Sequence, residues 1–356
     1  MPLEFDVAAA DRRHVWHPYT QHGLVEPPIA IARAEGAYLF DESGRAILDA
    51  ISSWWVTLHG HAQPEIAAAI AEQARTLDQV MFAGFTHEPA VRLAEGLTTR
   101  APAGLTRVFY SDDGSTAVEV ALKIALQHWQ HRGEPRRLIV ALENAYHGDT
   151  FGAMSVSARG LFTEPFAEHL FEVARLPDPM EHDVAGALED LIRSRGRDIA
   201  AVIVEPMLLG AGGMRVWSAD ALRALREITT RHDIVLIADE VLTGFGRTGP
   251  LFACEHAGIS PDLMCLSKGI SGGFIPFAAT LATETLFEDF RSPDRKRTFF
   301  HGHSYTANPI ACAAALASLA LLDEHSADRR RGIQRAHEAA VARLSSLRGV
   351  ENVRVL

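Results

Sequence analysis

Short apolar runs recur along the middle of this chain, and each is bounded by polar or turn-forming residues. Continuous runs of this length are typical of strands that are buried on both faces of a parallel sheet. They fall at residues 107–110, 138–142, 200–204, 234–238 and 263–266. Helical patterns separate them, as in residues 115–131, where apolar side chains recur every three or four positions. Strands that alternate with helices predict an α/β fold with a mostly parallel sheet.

The two ends of the chain show weaker patterns. Prolines interrupt residues 1–60, which predicts largely irregular structure there. Within that segment, residues 37–40 and 45–48 flank a turn and predict a β-hairpin. A helix is predicted over residues 64–80, and the final residues, 353–356, resemble the beginning of a strand.

Composition and charge narrow the class of protein. A chain of 356 residues has room for about two domains, and 47% apolar with 22% charged residues is typical of a soluble globular protein. The net charge of −11 argues against a nucleic-acid partner. The cysteines are scattered, the N-terminus has no signal-like pattern, and the apolar stretch 310–322 is too short to span a membrane. We therefore expect a cytoplasmic protein that contacts neither nucleic acid nor membrane.

Two polar residues end predicted strands and suggest a cofactor. Asp239 follows the run 234–238, and Lys268 follows the run 263–266. Parallel sheets bind ligands at the carboxyl ends of their strands. Pyridoxal phosphate needs a lysine that reacts with its aldehyde and an acid that keeps its ring nitrogen protonated. The alternative is that both side chains simply face solvent.

Residues 111–116 lie between a predicted strand and a strong helix. Gly114 lets the backbone approach a ligand, and the free amides at a helix start suit a phosphate. Thr116 and Glu119 match the spacing of a capping box, so a capped helix without a ligand remains open. Further along, Tyr146 could stack on a pyridine ring or be purely structural.

Three other motifs have more than one interpretation. Residues 244–249 match G-x-G-x-x-G, but Pro250 follows at once and no second strand ends in an acid at the right distance, so a surface loop is favoured over a nicotinamide site. Trp54-Trp55 could fill a core edge or wall a substrate pocket. Several histidines lie beside glycines, but they lack carboxylates at ligand spacing, so no metal site is expected.

Together, these motifs make the chain resemble the class III aminotransferases of fold type I, from about Arg13 to the last residue. The class-level matches are Val204-Glu205-Pro206, Ala238-Asp239-Glu240-Val241, Gly244 to Gly249, and Leu266-Ser267-Lys268-Gly269. The resemblance implies a large domain at 61–310 that binds pyridoxal phosphate. It also implies a small domain built from 1–60 and the beginning of a C-terminal part at 311–356. The family continues past the point that matches Leu356, and that continuation normally supplies an arginine for the substrate carboxylate.

More specific motifs resemble the branch of this family that serves biotin synthesis. They are Trp16-His17-Pro18-Tyr19-Thr20, Ser52-Ser53-Trp54-Trp55, Tyr146-His147-Gly148-Asp149-Thr150, and His301-Gly302-His303-Ser304-Tyr305-Thr306. The resemblance implies a homodimer that moves an amino group from S-adenosyl-L-methionine to 8-amino-7-oxononanoate, giving 7,8-diaminononanoate. Trp54 and Tyr19 favour adenosylmethionine over lysine as donor. An ω-amino acid or ornithine type, and a cofactor-binding but inactive dimer, remain as alternatives.

The same resemblance implies a role for each matched residue. Lys268 would bond to the cofactor and carry protons, Asp239 would pair with the ring nitrogen, and Tyr146 would stack on the ring opposite Val241. The phosphate would be held by Gly114 and Ser115, with His303 also at the cofactor and Ser304 reaching across from the partner subunit. Tyr19, Trp54 and Gly302 would line the substrate site beside Tyr146 and Lys268.

Overall fold

The computed structural model describes residues 5–24 and 26–356, and a seven-stranded sheet forms its centre. The strands of the protein are β1 Ile31–Glu35, β2 Tyr38–Asp41, β3 Ala46–Leu48, β4 Leu105–Ser111, β5 Leu138–Leu142, β6 Val173–Leu176, β7 Ile199–Val204, β8 Leu208–Leu209, β9 Arg215–Val216, β10 Val235–Asp239, β11 Leu263–Leu266 and β12 Ala278–Thr283. The large sheet has the order β4-β12-β11-β10-β7-β5-β6, and only β12 runs against its neighbours. The predicted α/β fold with a mostly parallel sheet is confirmed.

Helices cover both faces of this sheet. The helices of the described residues are α1 Val7–His14, α2 Ser52–Trp55 (a single turn), α3 Pro64–Thr76, α4 Glu88–Arg100, α5 Gly114–His131, α6 Phe151–Val156, α7 Val184–Arg195, α8 Ala219–Arg231, α9 Cys254–Ala257, α10 Glu284–Glu288, α11 Pro309–Leu321 and α12 Ala327–Ser345. Successive side chains of a strand enter opposite apolar layers: Val140 packs in one, and Ile139 and Ala141 in the other. This two-sided burial explains why the strands read as continuous apolar runs. No helix in the described ranges has the length and apolar character that a bilayer crossing requires.

All five predicted strands form, but two strands of the large sheet were not anticipated. One is β6 at the sheet edge, and the other is β12, which lies between β4 and β11. The sequence of β12 is Ala-Ala-Thr-Leu-Ala-Thr, and alanine is depleted in strands. Pairing with β11 on one side and β4 on the other, rather than the strand propensity of its own residues, determines that β12 forms.

The N-terminal segment is more regular than expected. The predicted hairpin is confirmed as β2 and β3, and β1 adds a third antiparallel strand. The prediction of irregular structure throughout 1–60 is therefore wrong in part, since α1 also forms there. The strand predicted at 353–356 is wrong too: these residues form no strand, and Arg354 instead donates to the carbonyl oxygens of Gly213 and Met214. The division into domains at 60 and 310 stays a prediction.

Candidate active site

Asp239 and Lys268 lie at the same edge of the large sheet. Asp239 is the last residue of β10, and Lys268 comes two residues after β11, its parallel neighbour. Both line a cavity of about 880 Å³ at the carboxyl ends of these strands. Tyr19, Trp54 and Tyr146 line it as well. The structure therefore brings the predicted amine, carboxylate and aromatic side chains into one pocket.

Lys268 has an unusual environment. Its backbone is left-handed, with φ of 43°, and its side chain is largely enclosed. Burial lowers the pKa of Lys268; the nearby charges of Asp239 and Glu205 oppose that shift, whereas Arg247 adds to it. The amine is therefore easier to deprotonate than a lysine in water, as proton transfer near neutral pH requires.

Asp239 belongs to a buried polar cluster in the wall of the pocket. His147 Nδ1 donates to Asp239 Oδ2 at 2.7 Å, and the Val241 amide donates to Asp239 Oδ1 at 3.1 Å. Within the described ranges, the buried His147 Nε2 finds no hydrogen-bond partner. Glu205 accepts from the amides of Tyr146 and Gly210. Burial raises the pKa of Glu205 to about 7, the His147 interaction opposes the rise, and the Asp239 charge adds to it.

The start of α5 forms a close-packed wall of the pocket. A Cβ atom on Gly114 would lie 2.7 Å from Val241 Cγ1, so only glycine fits there. Gly148 has φ of 131°, and a Cβ on it would overlap Ser115. Helix starts carry amides without intrahelical acceptors, which suits an anion. Gly114 and Ser115 both line the cavity, and their role in holding a phosphate stays a prediction.

The capping box predicted at this helix start is wrong. Asp113 is the capping residue: its carboxylate accepts from the amide and the hydroxyl of Thr116. Glu119 instead accepts from the amides of Gly152 and Ala153 at the beginning of α6. The glutamate therefore fixes the segment that follows Tyr146 rather than its own helix.

Aromatic and acidic side chains form the outer part of the pocket. The Tyr19 hydroxyl lies 3.3 Å from that of Tyr146 and donates to Asp149. The Tyr19 ring packs edge-on against Trp54, with centroids 5.4 Å apart, and against Phe162 at 5.7 Å. Burial, followed by the interactions with Asp149, raises the pKa of Tyr19. The outer pocket thus combines aromatic side chains with one carboxylate, that of Asp149.

Three predicted site residues lie outside this pocket. Gly302, His303 and Ser304 are absent from its lining. His303 Nε2 is 3.5 Å from Asp112 Oδ1, and the Ser304 carbonyl oxygen accepts from Gln79. Their expected roles therefore stay predictions, and that of Ser304 requires a second subunit.

The loop 244–249 is not the surface loop that was expected. Most of it is buried, and the Phe245 side chain is 1% exposed. Arg247 Nη2 donates to the carbonyl oxygen of Trp55 at 2.6 Å, and burial lowers the pKa of Arg247. The glycine pattern therefore reflects packing beneath the pocket.

Sequence reasoning did not assign several residues at the site. His147 and Asp149 belong to the motif that also holds Tyr146, and Glu205 follows directly after β7. A carboxylate at the end of a buried strand was the signal that had identified Asp239, and the same signal applied to Glu205. Phe162 gave no signal, because it lies in an irregular stretch.

This fold and pocket are those of an aminotransferase, and the chain belongs to the class III aminotransferases: the model of the family "Aminotransferase class-III" matches residues 19–356. The predicted family and the fold type I architecture are confirmed. This family implies pyridoxal phosphate as the cofactor.

The chain is also similar to individual members of this family. The chain is 51% identical over 333 residues to the adenosylmethionine-8-amino-7-oxononanoate aminotransferase of Synechococcus elongatus, covering 91% of this chain and 78% of the relative. The crystal structure of the enzyme of that name from Methanocaldococcus jannaschii superposes with a TM-score of 0.94 at 35% identity, covering 98% of this chain and 82% of that one. An amine transaminase from an uncultivated Pseudomonas species, solved in its PLP-bound form, gives 0.84 at 34% identity, covering 93% and 79%.

Proposed function

We propose that this chain uses pyridoxal phosphate to transfer the amino group of S-adenosyl-L-methionine to 8-amino-7-oxononanoate, the reaction that gives 7,8-diaminononanoate in biotin synthesis. The observation that carries the proposal is a single pocket that joins Lys268 and Asp239 to the aromatic residues Tyr19, Trp54 and Tyr146. The names of the relatives from Synechococcus and Methanocaldococcus support the choice of substrates.

The residues at the site suit the cofactor. Asp239 is buried and hydrogen-bonded by His147, as a carboxylate that must face a protonated ring nitrogen should be. Gly114 and Ser115 at the start of α5 would hold the phosphate. Val241 and Tyr146 would contact the two faces of the ring. Lys268 has the primary amine that the aldehyde needs.

Proton transfer would fall to Lys268. When bound, pyridoxal phosphate supplies an aldehyde that takes up the amino group and a ring that accepts electrons. Because burial lowers the pKa of Lys268, its amine loses a proton more easily than that of a lysine in water, and the neutral amine can remove a proton and return it at a neighbouring atom. The Asp239 carboxylate, held by His147 and the Val241 amide, would keep the opposite end of the site negative.

The outer pocket suits cationic substrates. Both proposed substrates carry an amino group, and adenosylmethionine also carries a sulfonium. The Asp149 carboxylate, held by Tyr19, would attract these charges, and the faces of Trp54 and Phe162 favour cations and flat rings.

We further propose a cytoplasmic homodimer in which Ser304 and His303 of one subunit help to complete the site of the other. Ser304 lies away from the pocket of its own chain, yet it belongs to a segment with exposed aromatic residues, Phe300 and Tyr305. Exposed apolar surface near a site is typical of an interface. The free cysteines Cys254, Cys265 and Cys312, all buried, fit a reducing compartment.

The test is turnover by the purified chain with added pyridoxal phosphate. We expect 7,8-diaminononanoate to form from adenosylmethionine and 8-amino-7-oxononanoate, and kcat to fall at least about 10³-fold in Lys268→Ala, because a positioned acid–base group is lost. Lys296→Ala, an exposed lysine away from the pocket, is the matched control and should keep full activity.

Other outcomes would identify other functions. Faster turnover of lysine, ornithine or 4-aminobutyrate than of adenosylmethionine would move the chain to a different branch of the family. A cofactor absorbance band without any amino transfer would make it a binding protein.

A further inference from the structure

The segment that carries the two pocket tryptophans has a strained backbone. Ser52, Ser53, Trp54 and Trp55, the residues of α2, have φ values of 50°, 46°, 67° and 69°. They form one left-handed turn, closed by the amides of Trp55 and Val56, which donate to the carbonyl oxygens of residues 51 and 52. Left-handed helical geometry brings a Cβ atom too close to the following carbonyl oxygen, so each of these four residues is strained. Such a turn persists only where its surroundings hold it.

The Asp49 carboxylate holds the turn through hydrogen bonds. Asp49 Oδ2 accepts from the Ser53 hydroxyl at 2.8 Å and from His61 Nε2 at 2.8 Å. The Asp49 carbonyl oxygen accepts from the Ser52 amide at 3.2 Å. The side chains of Asp49 and His61 are 5% and 15% exposed. Burial by itself would raise the pKa of Asp49, but the hydrogen bonds from Ser53 and His61 outweigh it and the pKa is lowered.

The N-terminal sheet fixes the position of Asp49. The Asp49 amide donates to the carbonyl oxygen of Ala37 at 2.9 Å, and the His61 amide donates to that of Gly36 at 2.7 Å. Both residues are therefore attached to the turn between β1 and β2. Asp49 joins a rigid hairpin to the strained turn.

On its other side, the turn enters the pocket. The Trp55 ring centroid lies 5.3 Å from Lys268 Nζ, and Arg247 holds the Trp55 carbonyl oxygen. Trp54 meets Tyr19 edge-on. A relaxed, right-handed backbone at residues 52–55 would send both indoles in other directions, because side-chain direction follows the backbone.

We propose that Asp49, together with His61, is a positioning residue that locks this left-handed turn and thereby sets where Trp54 and Trp55 meet the substrate. Neither Asp49 nor His61 lines the pocket, so they act only through the turn. The effect on substrate binding rests on the proposed function, whereas the locking of the turn does not.

The experiment compares Asp49→Ala and Asp49→Asn with Asp41→Ala. Asp41 is the matched control: its carboxylate is also mostly buried and accepts from a serine and an arginine, but in the hairpin turn between β2 and β3. We expect Asp49→Ala to lower kcat/KM at least about tenfold, mainly through KM, because small displacements of positioning groups are costly. Affinity for pyridoxal phosphate should stay within about twofold, and Asp41→Ala should leave KM unchanged.

A second substitution tests the strain directly. Glycine adopts positive φ without cost, so Ser52→Gly should partly restore KM in the Asp49→Ala background. The near-ultraviolet circular dichroism of the tryptophans should weaken in Asp49→Ala and recover in the double variant. Asp49→Asn, which keeps an acceptor for Ser53, should show the same changes to a smaller degree and serves if the alanine variant fails to fold.

Two results would overturn the proposal. One is an unchanged tryptophan dichroism signal in both Asp49 variants. The other is that the Asp49 and Asp41 variants show the same rise in KM and the same loss of cofactor affinity. The dichroism measurement needs no turnover. A wild-type chain that turned over neither substrate would therefore refute the proposed function, while the dichroism would still decide whether Asp49 locks the turn.

Discussion

The inner and outer parts of the pocket are built in different ways. The inner part, with Asp239 and Lys268, projects from the ends of buried parallel strands. The outer part, with Tyr19 and Trp54, comes from an N-terminal segment of turns whose backbone is left-handed at both residues. Parallel strands bring the reacting groups together, with Lys268 on a left-handed residue just past the end of β11, whereas turns alone fix Tyr19 and Trp54. The first arrangement suits chemistry common to a whole family, and the second can vary with the substrate.

This difference predicts separate kinetic effects. Substitutions in the inner part should lower kcat, because they change groups that act on the reacting atoms. Substitutions in the outer part should mainly raise KM, because they change groups that contact the substrate alone.

Asp239→Asn should have the largest effect in this comparison. The amide keeps the size of the side chain but removes the charge that would face the ring nitrogen. We expect kcat to fall about 10²-fold or more, since a preorganised charge at a water-poor site is lost. Steady-state kinetics at saturating cofactor would measure it.

Asp262→Asn is the matched control for that variant. Asp262 directly precedes β11, at the amino edge of the same sheet, and accepts from Arg226 and the Leu236 amide. It should lower the free energy of unfolding but leave kcat nearly unchanged. A similar loss of kcat in both variants would mean that sheet integrity, rather than charge at the carboxyl edge, determines activity.

The two parts also differ in how far the sequence reveals them. The positions of Asp239 and Lys268 could be predicted because each follows a short apolar run that is typical of a buried strand. The pairing of His61 with Asp49 could not be predicted. It depends on a left-handed turn between the two residues, and none of the residue types in that turn favours a left-handed backbone. Likewise, β12 forms through its neighbours and not through its alanine-rich sequence.

Glu205→Gln tests the inner part of the pocket through the pH dependence of the free energy of unfolding. The pKa of Glu205 is raised to about 7 by burial, so the folded chain favours its protonated form. The stabilisation from this proton is complete below the unfolded pKa of about 4.3 and is lost as pH rises through 7. We therefore expect the wild type to lose a few kcal/mol of unfolding free energy between these values, relative to Glu205→Gln.

Urea unfolding of both proteins across this pH range would measure the difference. Glu240 is also buried with a raised pKa, so the comparison with the variant is needed to isolate Glu205. A constant difference between the two curves from pH 4 to pH 8 would contradict the raised pKa of Glu205.

Tyr19→Phe should have the smallest effect, and it tests the outer part alone. The variant keeps the edge-on ring contacts with Trp54 and Phe162 but loses the hydroxyl that bonds Asp149. One hydrogen bond to a charged group contributes about 1.5–3 kcal/mol, part of which water at this exposed site replaces. We expect KM for adenosylmethionine to rise about tenfold or less with kcat retained. Tyr38→Phe, in the same N-terminal segment but outside the pocket, should change neither constant. If Tyr19→Phe lowered kcat as strongly as Asp239→Asn, the inner and outer parts would act as one catalytic unit. Reacting groups at the strand ends and substrate contacts on the N-terminal turns could then not be separated.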